Sequence, residues 1–184
     1  MALDSMTKNF NVIINIPHNM SLKEFQSRLS NMCDDVFSRL GIKYAYIWHN
    51  RDLLNSGELK TLHLHIVLCT IKRTRVKTML WNMVEWLHLE NAYVDCITID
   101  KCDSVPLSLQ YLTHKNNSEK YQYKYDDIIS NWDEFYLAEM YHEAPQIEIT
   151  PKLLVTWILK GYTDIEIMLK IGVGRYSTYQ NPSY

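Results

Sequence analysis

The stretch Thr61-Leu-His-Leu-His-Ile-Val-Leu68 decides how this chain is read. Side chains on a β-strand alternate between its two faces. As a strand, the segment sends Leu62, Leu64 and Ile66 to one face and His63 and His65 to the other. The apolar face can then pack into a core while the two imidazoles stand about 7 Å apart, two rises of ~3.3 Å each. That spacing suits two ligands of one divalent metal ion. A half-exposed strand that merely carries two histidines fits the same pattern, so the flanking sequence must decide.

On the N-terminal side, Phe10 to Pro17 is β-rich and reads as an interior strand. Ser21 and Glu24 form a capping box ahead of Leu22, Phe25, Leu29, Met32, Cys33, Val36, Phe37 and Leu40 at helical spacing, and Gly41 stops that helix. Ile42 to Trp48 is aromatic and β-branched enough for a second strand. The turn-prone Asn55-Ser-Gly57 then predicts an antiparallel hairpin with the histidine strand, closed by a long loop.

On the C-terminal side, the spacing predicts a helix over 74–88, a strand over Ala92–Ile99, a helix opened by Pro106 and running to His114, a loop over 115–125, and a helix over 128–143. This order predicts an α+β fold with a central, largely antiparallel sheet of about five strands flanked by helices. Pro145 to Pro151 is the candidate boundary between a domain of residues 1–144 and a short helical segment of residues 145–184. There Lys152 to Lys160 reads as a helix stopped by Gly161, and Thr163-Asp-Ile-Glu166 as a capping box opening another. So short a segment buries little alone, which points to docking or homo-oligomerisation. A helix-turn-helix contacting duplex DNA is the other reading, and its mixed charge does not favour it.

Composition sets limits on function. The chain has 184 residues, 47% hydrophobic, with 5 Gly and 5 Pro, which fits one globular domain or one domain plus an appendage. Lys+Arg 19 against Asp+Glu 21 gives a net charge of −2, so bulk charge alone does not make it a nucleic-acid binder. Local basic runs remain, Lys72-Arg-Thr-Arg-Val-Lys77 and the lysines between Lys115 and Lys124, which are either DNA contacts or solvated helix faces. Cys33, Cys69, Cys96 and Cys102 form no CxxC pair and read as thiols rather than a disulfide framework. With no leader-like segment and no run of 18 apolar residues, the chain is expected to be cytoplasmic and free of the membrane.

The hairpin also predicts chemistry. Pairing Trp48 with the histidine strand brings His49 and Asp52 beside His63 and His65. Three imidazoles and a carboxylate with open positions suit Mn²⁺ or Mg²⁺ acting on phosphate. A structural Zn²⁺ site more often recruits cysteine. Tyr111 is the candidate nucleophile. A tyrosine of ordinary pKa, about 10, is a weak one without help, and Tyr111 read alone is equally one of 13 tyrosines packed in a core.

Taken together, His49-x-x-Asp52, His63-Leu-His65 on a strand and Tyr111-Leu-Thr-His114 after it resemble the HUH endonucleases. More narrowly they resemble the RepB-like rolling-circle replication initiators of small plasmids, over about residues 8–130. In relaxases the tyrosine precedes the histidine strand, whereas here it follows. The resemblance implies that His49, Asp52, His63 and His65 hold a divalent ion and that Tyr111 is a single nucleophile. It implies site-specific nicking and rejoining of single-stranded origin DNA through a 5′-phosphotyrosyl link in a bacterial cell, with host polymerase and helicase as partners. The viral initiators carry a lysine three residues after the tyrosine. Here that place is His114, with Lys115 next, so Lys115 is at most a phosphate contact. Lys72, Arg73 and Arg75 are further candidate DNA contacts, and Tyr121, Tyr123 and Tyr125 could stack on unpaired bases or pack as a loop on the sheet edge. A mobilisation relaxase or transposase of the same chemistry, and a non-catalytic origin-binding protein, are the alternatives.

Overall fold

The structure, a computed structural model, describes residues 4–54 and 56–142. The proposed boundary at Pro145–Pro151 and the helices beyond it lie outside the described residues. Within them the fold is α+β, built on one five-stranded antiparallel sheet in the order β4-β1-β3-β2-β5. The strands are β1 (Met6–Asn15), β2 (Lys43–His49), β3 (His63–Arg75), β4 (Ile97–Lys101) and β5 (Ile129–Ser130). The helices are α1 (Leu22–Asn31), α2 (Ser38–Leu40), α3 (Val76–Trp86), α4 (Val105–Leu112) and α5 (Glu134–His142).

The histidine strand is the middle strand of the sheet, and this placement settles the ambiguity at His63 and His65. Leu64, Ile66 and Leu68 enter a core against Phe25 and Leu29 of α1 and Met79, Met83 and Val84 of α3. The opposite face is covered too: Val67 joins Ala45 and Ile47 of β2 under Leu109 and Leu112 of α4 and Leu137 and Tyr141 of α5. Every residue from His63 to Leu68 is buried. A half-exposed strand is therefore excluded, and both imidazoles sit in an interior layer.

Register carries the geometry further. Residues directly opposite one another on antiparallel strands share a face. The pairs His49↔His63 and Ile47↔His65 on one side, and Ile13↔His65 on the other, put His49 on the histidine face. The expected long-loop hairpin is present. Its loop folds into a second, smaller hairpin in which Leu53 bridges Leu59 and the Lys60 amide donates to the Asp52 carbonyl, 2.8 Å. That bond brings Asp52 back to the strand ends.

Several boundaries differ from the sequence expectation, for identifiable reasons. The first strand starts at Met6 and ends at Asn15, because it pairs with a β3 that continues to Arg75. Lys72, Arg73 and Arg75 consequently lie on a strand and at the cap of α3, not on a helix face. The first helix runs through a π-helical turn at Met32–Phe37 before its last turn at Ser38–Leu40. Gly41 ends it at φ 63, the left-handed conformation that glycine accommodates without a Cβ clash. Residues Asn91–Cys96 form a 3₁₀ turn where a strand was expected, leaving only Ile97–Lys101 to pair with β1. The helix expected over 128–143 starts only at Glu134, because Ile129–Ser130 add an edge strand to β2. The four cysteines are free thiols, Cys33 and Cys102 buried.

Candidate active site

His49, Asp52, His63 and His65 are all buried and form a group that can hold a metal ion, with one ligand atom from each lying within 4.8 Å of the others. The hydrogen bonds around them fix where the lone pairs point. The His49 Nε2 lies 2.7 Å from the Leu112 carbonyl oxygen, which can only accept, so Nε2 carries the proton. Burial pushes the His49 pKa down to about 4, against the opposing pull of the Leu112 carbonyl and Asp52, so the ring is neutral and its Nδ1 is bare. That bare Nδ1 faces Asp52 Oδ2 at 3.1 Å. At His63 the Nδ1 donates to the Thr61 carbonyl, 2.8 Å, so in the neutral ring Nε2 is bare. It lies 3.4 Å from the same Asp52 Oδ2 and has no hydrogen-bond donor of its own.

One carboxylate oxygen thus faces two imidazole lone pairs in a buried site. Three acceptors with no proton between them repel one another, and a cation among them removes the conflict. The donor set and the orphaned His63 Nε2 therefore fit a bound divalent ion. The carbonyls of Thr61 and Leu112 orient the ligands by fixing their tautomers, the usual task of groups behind a metal-binding histidine. His65 is held neutral as well. Burial, reinforced by the neighbouring His49, His63 and His114, pushes its pKa down to about 2.

The group is stacked as well as hydrogen-bonded. The His49 ring lies between His65, 4.2 Å between centroids, and Tyr123, 4.5 Å and nearly parallel. Tyr123 accepts from the Arg51 amide, 2.9 Å, and donates to Asp52 Oδ1, 3.3 Å. It is buried, with one face against His49, so it props the ligands and offers no open face for a base there. Tyr121 is the exposed ring of the pair, with the Arg51 guanidinium 4.9 Å above it and bonded to its hydroxyl. Tyr125 packs against Tyr141 and His142, toward α5.

Tyr111 occupies the last turn of α4, and its ring is 41% exposed, 5.8 Å from His65 between centroids. The core tyrosine reading fails on this exposure. Ser104 caps the helix and Leu109 and Leu112 anchor it to the sheet, which turns Tyr111 to the metal-ligand side. Because the next residue, Leu112, supplies the carbonyl that orients His49, the tyrosine and a candidate ligand are mechanically linked. A small cavity beside Tyr111 is lined by Asn11, Ile13, His65, Val67 and Ser108.

Three contributors have roles that sequence reasoning did not assign. Lys120 donates to the Tyr111 hydroxyl at 3.3 Å, nine positions downstream, a spacing no helical pattern flags. His114, fully buried, is at φ 60 and donates from Nδ1 to the Tyr121 carbonyl, 2.8 Å, leaving its Nε2 without a partner. Its left-handed conformation turns the chain so that residues 120–123 return over the site. Arg51 braces Tyr121 and Tyr123. Conversely, Lys115 is turned away. Its ammonium lies 4.7 Å over the Tyr141 ring and within 3.4 Å of the Tyr141 carbonyl. Lys72, Arg73 and Arg75 stand at the far end of β3 from the histidines.

The antiparallel α+β fold thus buries three histidines and an aspartate, a group that could hold a metal ion, beside an exposed tyrosine. The family model described as plasmid replication protein, origin binding domain, matches residues 18–135, and the chain belongs to that family. No curated protein matches the chain. The matched span includes all four candidate ligands, Tyr111 and Lys120, whereas β1 precedes it. Membership makes the chain a plasmid replication protein whose partner is origin DNA. Among the described residues, no helix is long and apolar enough to cross a membrane.

Proposed function

We propose that this domain nicks and rejoins single-stranded DNA at a plasmid origin, as a rolling-circle initiator of the HUH, RepB-like kind, with Tyr111 as the nucleophile. The observation that carries the reading is the pair of bare imidazole nitrogens aimed at one Asp52 oxygen, with an exposed tyrosine alongside. Mixed nitrogen and oxygen donors with no cysteine favour Mn²⁺ or Mg²⁺. Held by His49, Asp52, His63 and His65, such an ion would withdraw charge from the non-bridging oxygens of the scissile phosphate.

The chain's own groups do the rest. The Lys120 ammonium donates to the Tyr111 oxygen and holds it in place, and the phenolic proton leaves to water at the exposed ring. The phenolate oxygen attacks phosphorus, the bond to the 3′-oxygen breaks, and that oxygen takes up a proton to become a free 3′-hydroxyl. One phosphodiester is exchanged for another, so a later attack by a 3′-hydroxyl can reverse the step and reseal the strand. Asn11 lines the cavity beside Tyr111, where its amide can hydrogen-bond a nucleotide. The exposed Tyr121 ring is open to an unpaired base.

The test is a labelled origin oligonucleotide incubated with Mn²⁺ and resolved on a denaturing gel. Wild type should form a covalent adduct and Tyr111→Phe none. An adduct on the phenylalanine variant would remove Tyr111 from the mechanism, and cleavage that persists undiminished in EDTA would remove the metal.

A further inference from the structure

The end of the sheet opposite the histidines carries a feature that the nicking reading does not use. Thr7 pairs with Thr74 and Asn9 with Cys69, so Lys8 alone faces the four residues Thr70–Arg73 of β3. Such a bulge breaks the ladder and re-aims side chains. Here the Thr70 hydroxyl braces it, lying 3.1 Å from the Lys8 carbonyl and 2.7 Å from the Lys72 carbonyl. Lys8, Lys72, Arg73, Arg75 and Lys77 are all exposed on this ribbon and the start of α3. None pairs with a carboxylate among the described residues. Residues 5–9 and 70–77 contain no Asp or Glu, and the first turn of α3 has no acidic residue. A chain of net charge −2 has therefore gathered five cations on one protruding ribbon, with Asp4 at its end the nearest acidic residue in sequence.

We propose that this bulged β-ribbon is the duplex-DNA anchor of the domain, gripping phosphates of double-stranded origin DNA while the nick site is handled at the other end of β3. The inference rests on the reading above for what happens at that other end. Its own ligand follows from the ribbon's chemistry. Single-strand platforms interleave aromatic rings with cations so that bases can stack. The ribbon segments 5–9 and 70–77 contain no aromatic residue, in contrast to the exposed Tyr111 and Tyr121 at the histidine end. Cations without stacking surfaces suit a closed duplex, which presents a phosphate charge every ~1.7 Å of its axis, and a two-stranded ribbon fits its major groove.

The spacing also suits the task. Ile13 lies opposite His65 and Met6 opposite Arg75. Along the regular strand β1 the two ends are therefore about 23 Å apart, at ~3.3 Å per residue. At ~3.4 Å per base pair that is roughly seven base pairs. One domain can thus hold duplex at one end and an unpaired nick site at the other.

The experiment measures affinity for a fluorescein-labelled 30-bp duplex of arbitrary sequence by anisotropy against salt, in EDTA so that nicking plays no part. Each lost phosphate contact lowers the slope of log K against log salt by ~0.9. The triple variant Lys72→Gln/Arg73→Gln/Arg75→Gln should lower the slope by about 2.7, and Lys8→Gln/Lys77→Gln by about 1.8. Lys23→Gln, exposed on α1, should leave it at the wild-type value. Melting curves check folding, and the double ribbon variant decides if the triple one does not fold. Ribbon variants with the wild-type slope overturn the proposal. So does a loss that is equal on a 15-nucleotide single strand, which would make the ribbon a single-strand contact. A failed adduct test at Tyr111 leaves these duplex measurements standing, so the two readings fail separately.

Discussion

Replacing Asp52 by asparagine should stabilise the metal-free protein and destabilise it relative to wild type once metal is present. Without metal and with both rings neutral, Asp52 Oδ2 stands 3.1 Å from the bare His49 Nδ1 and 3.4 Å from the bare His63 Nε2, with no proton to share. An asparagine of the same shape keeps Oδ1 as acceptor for the Tyr123 hydroxyl. That bond fixes the amide orientation and puts its NH₂ where Oδ2 was, facing two acceptors. Two new hydrogen bonds at ~0.5–1.5 kcal/mol each give about 1–3 kcal/mol. At ~2–4 °C per kcal/mol for a chain of this size, the metal-free midpoint should rise by roughly 2–12 °C. In Mn²⁺ at a thousand times its Kd, wild type gains ~4.1 kcal/mol from binding alone. The asparagine variant loses the anionic ligand and should gain little. Thermal melts in EDTA and in Mn²⁺ should therefore rank the two proteins in opposite orders. An asparagine variant less stable than wild type in EDTA, or one that Mn²⁺ stabilises as strongly as wild type, would refute the assignment of lone pairs and with it the metal site.

Two further outcomes follow from the same geometry. Lys120→Gln should slow adduct formation several-fold, since a hydrogen bond to a charged partner is worth ~1.5–3 kcal/mol before solvent screening and this one is exposed; Mn²⁺ binding by calorimetry should stay unchanged, and an undiminished rate would leave Lys120 a structural contact. In EDTA the fold should weaken as pH falls below 6.5. The unfolded chain then takes up protons on His49 and His65, whereas the folded sites stay neutral down to about 4 and about 2. The folded pKa values are depressed, so stability is highest above 6.5 and is lost on acidification, by up to ~1.4 kcal/mol per pH unit for each histidine. Urea melts from pH 7 to 5 check this, with His65→Gln expected to reduce the slope and a flat profile counting against burial as the cause.

The local grammar of the chain was enough for the sheet-and-helix plan, because alternation at Leu62–Ile66, the capping box at Ser21 and the stop at Gly41 act within a few residues. It was also enough to bring His49 and Asp52 beside His63 and His65, since a hairpin register follows from where its two strands end, whereas Tyr111 stood out from the other tyrosines only through the resemblance. Tertiary structure alone decided the rest. Whether His63 and His65 stood half-exposed or in an interior layer depended on a second layer, α4 and α5, closing over their face. Which nitrogen of His49 is bare depended on a carbonyl 63 positions away, at Leu112. Lys120 reaches Tyr111 only because His114 turns left-handed and returns the chain across the site. The basic run at Lys72–Lys77 fits either DNA contacts or a helix face by sequence, and the pairing of β1 along it, with Lys8 set against the bulge, puts most of it on a strand. Periodicity reports which face of an element is buried. It carries no information about what arrives from distant sequence to meet that face, and the lone pairs, the exposed tyrosine and the cationic ribbon are all defined by such arrivals.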